Sequence, residues 1–314
     1  GGVEAGPGPA DSPVAADVED IEAWDASSVA VDEGVSLTQP RLKIVTGGDM
    51  ESVSDAGEAI DNQRAYAHRH GYDFDVVVGN LVEPWAPYWH KIGVLLQELE
   101  LPPADAGEIA DVVVWMDLDV VVTNPSQRML ERVLSEHPAQ HVILAQDPRR
   151  GETLPGARRA KRIANTGIIL VRRSLGAIRV LRKLFDYGRQ FPKAAYAAQA
   201  SNTLHEQDAF NWLLGGEHRG WWRKQIVVIP QRGQTCNLNT FARNIYDGSY
   251  GDPLRSEWTL GDFAVHCSGL RPQLREWCID DSVAAALAIL ERSGAALPED
   301  ALAQVADSTS GVGG

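Results

Sequence analysis

No stretch of this chain offers the ~20 consecutive apolar residues that a membrane-spanning helix needs. It shows no signal peptide and no initiator methionine; it begins Gly-Gly, which leaves open an anchor lying N-terminal to the residues given. There are three cysteines, Cys236, Cys267 and Cys278, and no CxxC pair, which argues against a zinc site. At most one disulfide can form, with Cys267 and Cys278 nearest in sequence. The burial habit of cysteine favours free, buried thiols. No glycine-rich phosphate loop opens the chain, which argues against a nucleotide-sugar pyrophosphorylase. Basic residues are absent from residues 1–40, which hold nine carboxylates; removing those nine from the net charge of −14 leaves only −5 on the rest. The acidity therefore belongs to the leader. It argues against non-specific nucleic-acid binding and says little about the substrate.

Residues 1–40 and 297–314 are rich in small and polar residues and lack hydrophobic periodicity, so they read as a disordered leader or stem and a flexible tail. Residues 41–296 alternate strand and helix patterns. Leu42–Val45, Phe74–Val78, Val112–Met116, Val142–Ala145, Gly167–Val171, Ile226–Ile229 and Phe263–Val265 read as strands. Glu51–His70 (closed by Gly71), Tyr88–Leu99, Leu175–Gln190, Leu204–Leu214 and Ser282–Leu290 read as helices. Such alternation predicts an α/β domain with a Rossmann-like, mostly parallel central sheet flanked by helices.

The sharpest chemical feature is Val112-Val113-Val114-Trp115-Met116-Asp117-Leu118-Asp119. An apolar strand runs into two carboxylates at i and i+2, which project to one side of an extended chain. Two facing carboxylates repel unless a cation lies between them. Ligands of open α/β sheets bind beyond the carboxyl ends of strands, so Mg²⁺ or Mn²⁺ bridging to a diphosphate fits here. A haloacid-dehalogenase-type phosphatase also places DxD after a strand. Here, however, Val120-Val121-Val122 replaces the usual small turn, and no later paired-Asp motif follows.

Other segments carry a resemblance. Asn62, Arg64, Tyr66, Ala67, His70, Gly71, Tyr72 and Asp73 spell N-x-R-x-Y-A-x-x-H-G-Y-D. Then come Trp89-His90-Lys91-Ile92, the DxD, Asn165-Thr166-Gly167, Glu206-Gln207 and His266-Cys267-Ser268-Gly269. From about Arg41 to Arg271 this ordered set resembles the galactosyl/mannosyl/xylosyl transferases of glycosyltransferase family 34. The resemblance implies a single GT-A domain, a divalent metal (usually Mn²⁺), a nucleotide-sugar donor with UDP-sugars favoured, and retention at the anomeric carbon to form an α-linkage. It implies Asp117, Asp119 and His266 as metal ligands. It places Thr46 and Gly47, with Tyr66, Leu118 and Gly269, at the nucleotide, and makes Lys91 and Arg271 the cations for the diphosphate. Arg271 stands where the family usually has Lys, and Cys267-Ser268 where it carries aromatic or Val residues.

By the same resemblance Asn165, Thr166, Gly167 and His205 serve the sugar or acceptor side. Gln207 lies near the anomeric carbon, with Glu206 and Asp208 as acidic neighbours. Same-face attack assisted by Gln207 and a covalent intermediate on Glu206 or Asp208 both remain open. The acceptor is a glycan, glycoprotein or glycolipid. Trp85, Trp89, Trp221 and Trp222 are candidate sugar-stacking residues, with core packing the plainer reading for Trp89 and Trp115. An exposed Trp221-Trp222 would form an acceptor edge. The family favours a Golgi lumenal enzyme with its type II anchor removed, a soluble cytoplasmic one being the alternative, and leaves a homo-oligomer open. The rival reading in the same fold is a glycan-binding protein without catalysis.

Overall fold

The structure, a computed structural model, describes residues 40–79, 81–82, 85–101, 109–147, 163–190, 205–215, 219–230, 238–241 and 257–292. The expected leader and tail and Cys236 lie outside the described residues.

A six-stranded sheet runs in the order β2-β1-β3-β6-β5-β7. Its strands are β1 (Leu42–Gly48), β2 (Asp73–Val78), β3 (Val112–Met116), β5 (Val142–Gln146), β6 (Ala164–Arg172) and β7 (Ile226–Ile229). β1 pairs in parallel with β2 and β3, and β5 in parallel with β7. β6 is antiparallel to both its neighbours, β3 and β5, so only one strand runs against the rest. The mostly parallel α/β domain read from the alternation is what forms.

Helices cover both faces because the strand residues alternate between two apolar layers. Val113 and Trp115 of β3 face one layer with α3 (His90–Glu100), α5 (Leu175–Gln190), α6 (Glu206–Gly215) and α7 (Arg219–Gln225). Val112, Val114 and Met116 face the other layer, with α2 (Gly57–His70) and α4 (Met129–Glu136). All five β3 residues are buried, which is why the strand reads as an unbroken apolar run.

Several boundaries differ from those the pattern predicts. β1 extends past its predicted end at Val45 through Thr46-Gly47-Gly48, because these residues continue to pair with Val76–Val78. The single helix expected over Glu51–His70 is two, α1 (Met50–Asp55) and α2, parted at Ala56. Asp49 caps α1 by accepting a hydrogen bond from the Ser52 amide at 2.8 Å. Gly71, at φ 73°, closes α2 as expected. Asn165-Thr166-Gly167 lies inside β6 rather than before it. The last helix, α8 (Pro272–Arg292), starts well before Ser282, opening on Pro272, a residue suited to a helix's first turn.

A second sheet, ordered β4-β9-β8, decides where the functional residues meet. β4 (Val120–Val122) follows the DxD directly, and β9 (Ala264–His266) pairs with it antiparallel in the register Val120↔His266. β8 is Thr240–Phe241. The cysteines also depart from expectation: Cys267 and Cys278 form a disulfide, with Cα atoms 5.9 Å apart, instead of remaining free thiols. It ties the residue after β9 to the second turn of α8 in a small apolar cluster with Val121, Val265 and Ile279.

Candidate active site

The chain turns sharply at Asp117. The Val120 amide donates to the Asp117 carbonyl at 3.1 Å, and the Asp117 amide donates to the Gly167 carbonyl at 2.8 Å. The two carboxylates therefore converge through a turn and not through extended chain. Buried Gln63 holds that turn, its Nε2 donating to the Asp117 carbonyl at 2.9 Å and the Val120 carbonyl at 2.8 Å. Asn62 clamps the next strand, accepting from the Val122 amide at 2.7 Å and donating to the Val122 carbonyl at 3.1 Å. Helix α2 is thus a brace for the turn that carries Asp117 and Asp119.

Tyr66 belongs to that brace and not to a nucleotide pocket. It is buried, lies edge-on to His70, Tyr72 and Phe263, and donates from its hydroxyl to the Gln127 carbonyl at 3.2 Å. His70 likewise donates from Nε2 to the Pro125 carbonyl at 2.8 Å.

Strand pairing brings His266 to the carboxylates. Its Nε2 lies 3.0 Å from Asp119 Oδ1 and 3.6 Å from Asp117 Oδ2. One ligand atom from each of the three residues falls within 4.8 Å of the others. Gly167 makes the approach feasible, since a Cβ there would collide with Cε1 and Nδ1 of the imidazole. This is a structural role for a glycine expected to face the acceptor.

The electrostatics follow from burial. Burial opposes the His266 charge, but Asp119, by charge and hydrogen bond, and Asp117 outweigh it and raise its pKa. Burial pushes Asp119 up, yet His266, Arg275 and Lys91 hold it below the usual carboxylate range. Asp117 is raised by burial and by Asp119 against the pull of Lys91 and His266. The His266 ring thus lies between two carboxylates, whose negative charge favours its protonated form.

Lys91 is fully engaged. Its Nζ lies 2.7 Å from Asp117 Oδ1 and 3.1 Å from Glu206 Oε1, and donates to the Thr166 carbonyl at 3.2 Å. Burial opposes its charge, but the two carboxylates outweigh burial and keep it protonated. The expected diphosphate cation is therefore an internal counter-ion to the DxD and α6. Trp115 Nε1 donates to the same Asp117 Oδ1 at 2.6 Å.

Gln207, expected near the anomeric carbon, is equally committed. Its Oε1 accepts from Asn165 Nδ2 at 3.1 Å and the Thr166 amide at 3.2 Å, while Nε2 donates to buried Asp147 at 2.8 Å. Asn165 continues the chain, its Oδ1 accepting from the Gly167 amide and from Asn239 Nδ2, each at 2.8 Å. Glu206 differs. Oε1 meets Lys91 and the Thr166 hydroxyl, whereas buried Oε2 has no hydrogen-bond partner among the described residues. Asp208 accepts from the His205 amide at 3.1 Å, a helix-cap role.

Beside the triad opens a cleft of about 850 Å³. Its walls come from the end of β1 and α1, from Tyr88, His90 and Lys91, from Asp117-Leu118-Asp119, and from the start of α8 with Gln273, Arg275 and Glu276. Leu118, Gly47 and Gly48 line it, but Thr46 is buried, and a Cβ on Gly47 would strike the Val77 carbonyl of β2. That glycine is required by strand packing. Arg271 and Gly269 are exposed and outside the lining. His205 reaches the cleft through Tyr88, their rings 4.1 Å apart.

Of the candidate tryptophans, Trp89, Trp115 and Trp222 are buried, half-buried Trp85 packs on Trp89 with ring centroids 4.8 Å apart, and half-buried Trp221 packs edge-on to Trp222 at 4.4 Å. Sequence reasoning missed Tyr88, Asp147, Asn239 and Arg275. Arg275 alone carried a signal, standing one helical turn beyond Arg271.

Residues 42–276 match the model of the galactosyl transferase GMA12/MNN10 family. The chain belongs to this family. It is a glycosyltransferase by family, and the phosphatase alternative falls with that assignment. Among solved structures it is similar to a glycosyltransferase involved in glycosylation of the major capsid of PBCV-1. The TM-score is 0.53 at 16% identity, covering 77% of this chain and all of the other, which shows a shared fold. Weaker similarities are to the glycosyltransferase GlyE of Streptococcus pneumoniae (TM-score 0.48, 12% identity, 82% of this chain and 65% of the other) and mouse xyloside xylosyltransferase 1 (0.41, 12%, 73% and 98%). No curated protein sequence matches the chain.

Proposed function

We propose that this glycosyltransferase is metal-dependent and moves a hexose or pentose from a nucleotide sugar, a UDP-sugar by preference, to a hydroxyl of a glycan or glycoconjugate. The observation that carries this reading is the Asp117–Asp119–His266 cluster at the wall of the cleft. Two carboxylate oxygens and an imidazole suit Mn²⁺ or Mg²⁺, with Mn²⁺ the better match for the nitrogen. Held by these three residues, such an ion would supply charge neutralisation for a departing nucleoside diphosphate.

The chain's own groups supply the rest. Lys91 fixes Asp117 and Glu206 relative to one another. Gln63 and Asn62 hold the ligand turn. With its amide spent on β6 and Asp147, Gln207 positions the sugar-facing strand. Glu206, with one unpartnered oxygen, is the group we assign to stabilise positive charge developing at the anomeric carbon. Retention with an α-linkage follows if the acceptor hydroxyl enters on the leaving-group face and yields its proton to the departing phosphate oxygen. The disulfide favours an oxidising compartment, in keeping with a secretory-pathway, Golgi-type location.

The test is turnover of a panel of UDP- and GDP-sugars, with Mn²⁺ or with chelator. Metal-dependent turnover of one donor supports the reading and names the sugar. Equal turnover with chelator present contradicts it.

A further inference from the structure

The cleft is acidic. Asp49, Glu51, Asp55 and Glu276 line it together with the two metal-ligand carboxylates, and such a wall repels a diphosphate. A divalent ion held by Asp117, Asp119 and His266 would cancel the charges of the two carboxylates. Lys91 then balances Glu206, so the inner site is neutral and has no positive charge to spare. The cation on which the resemblance relies, Arg271, is not part of the cleft wall.

Arg275 is. It projects from the first turns of α8, whose residues Pro272 and Gln273 also line the cleft. Among the described residues its guanidinium makes no ion pair, and its charge reaches Asp119. The backbone beneath it is anchored: the Arg275 amide donates to the Arg271 carbonyl at 2.9 Å, and Cys278, three residues on, is bonded to Cys267 beside the ligand His266. The partial positive charge of a helix N-terminus adds to the same wall.

We propose that Arg275, carried on a turn pinned by the Cys267–Cys278 bond to the strand of His266, is the side chain that pairs with the donor's diphosphate. Resting on the nucleotide-sugar reading above, it names the residue that reads the leaving group. A guanidinium offers two parallel N–H donors to phosphate oxygens, which an ammonium cannot reproduce. It also explains why Lys91 can be spent internally.

The test is calorimetric titration of UDP, GDP and uridine in Mn²⁺ with the wild type and the R275Q, R275K and R271Q variants. R275Q is expected to weaken the nucleoside diphosphate that the wild type binds by about tenfold to a hundredfold, the scale of a lost charge-assisted pair. R275K should recover only part of that loss. Uridine, without phosphate, should bind alike to all four proteins, and R271Q should bind the diphosphate like the wild type. Unchanged diphosphate binding by R275Q, or a larger loss in R271Q, overturns the assignment. Equal losses of uridine and diphosphate binding in R275Q overturn it also, marking a general disturbance of the cleft. Failure of the wild type itself to bind either diphosphate overturns the nucleotide-sugar reading and the assignment with it.

Discussion

The imidazole of His266 lies against the backbone of Gly167, so closely that a β-carbon on Gly167 would overlap the ring. One residue comes from the second sheet and the other from the antiparallel strand of the first. Their contact lets an Asp-Asp-His cluster close at the junction of the two sheets.

Gly167→Ala should therefore push the imidazole away from Asp119. Mn²⁺ affinity is expected to fall by about tenfold or more, since misplacing one ligand of three forfeits much of its binding energy. Calorimetric titration of Mn²⁺ measures this, with circular dichroism to confirm folding. Wild-type affinity in the folded variant would contradict the packing argument.

Lys91→Met would leave buried Glu206 and half-buried Asp117 without their common partner. Removing one member of a buried ion pair costs about 3–5 kcal/mol, because uncompensated charge remains. Urea unfolding measures it. A loss below about 1 kcal/mol would show that the site takes in enough water to serve in place of the lysine.

Glu58 of α2 faces Asp280 of α8. Its pKa is raised, first by burial and then by Asp280, through charge and hydrogen bond, and by Asp61 and Glu276. An acid whose folded pKa is raised keeps its proton where the unfolded chain loses it. Stability therefore falls as pH rises from the unfolded value through the folded one. Glu58→Gln should raise Tm at pH 7 and leave it unchanged near pH 4. A Tm gain of equal size at both pH values would remove ionisation as the cause.

Replacing Cys267 and Cys278 by Ala opens a short loop of chain. Loop-entropy reasoning puts the cost at about 2–3 kcal/mol. Denaturant unfolding under oxidising and reducing conditions would show it as a difference confined to the wild type. Identical midpoints for wild type in both conditions would mean that the bond contributes nothing to stability.

Much of the architecture was legible because buried parallel strands are written as apolar runs. Val112–Met116 and Ile226–Ile229 match their predicted bounds for that reason. The Asp-Asp-His cluster was also legible, Asp117 and Asp119 from strand-end logic and His266 through the family pattern, and the fold brings the three together. Short elements were not: β4 and β8 carry too few residues for a period to show, whereas α4 does carry one, in Met129, Leu130, Val133 and Leu134. Nor could sequence reveal partner choice inside the site. Lys91 and Gln207 are polar residues in motif positions, and only the fold shows that both are saturated by neighbours distant in the chain. Tyr66 was misplaced at the nucleotide for the same reason. Its motif is a brace between α2 and the segment following β4.

The most direct measurement of the central claim is Mn²⁺ binding by electron paramagnetic resonance, with the nucleoside diphosphate of the preferred donor present. Wild type should immobilise one ion per chain, and Asp119→Asn and His266→Gln should each weaken that binding while the fold persists. Wild type that leaves Mn²⁺ free, or variants that bind it as tightly as wild type, would contradict a metal site at Asp117, Asp119 and His266.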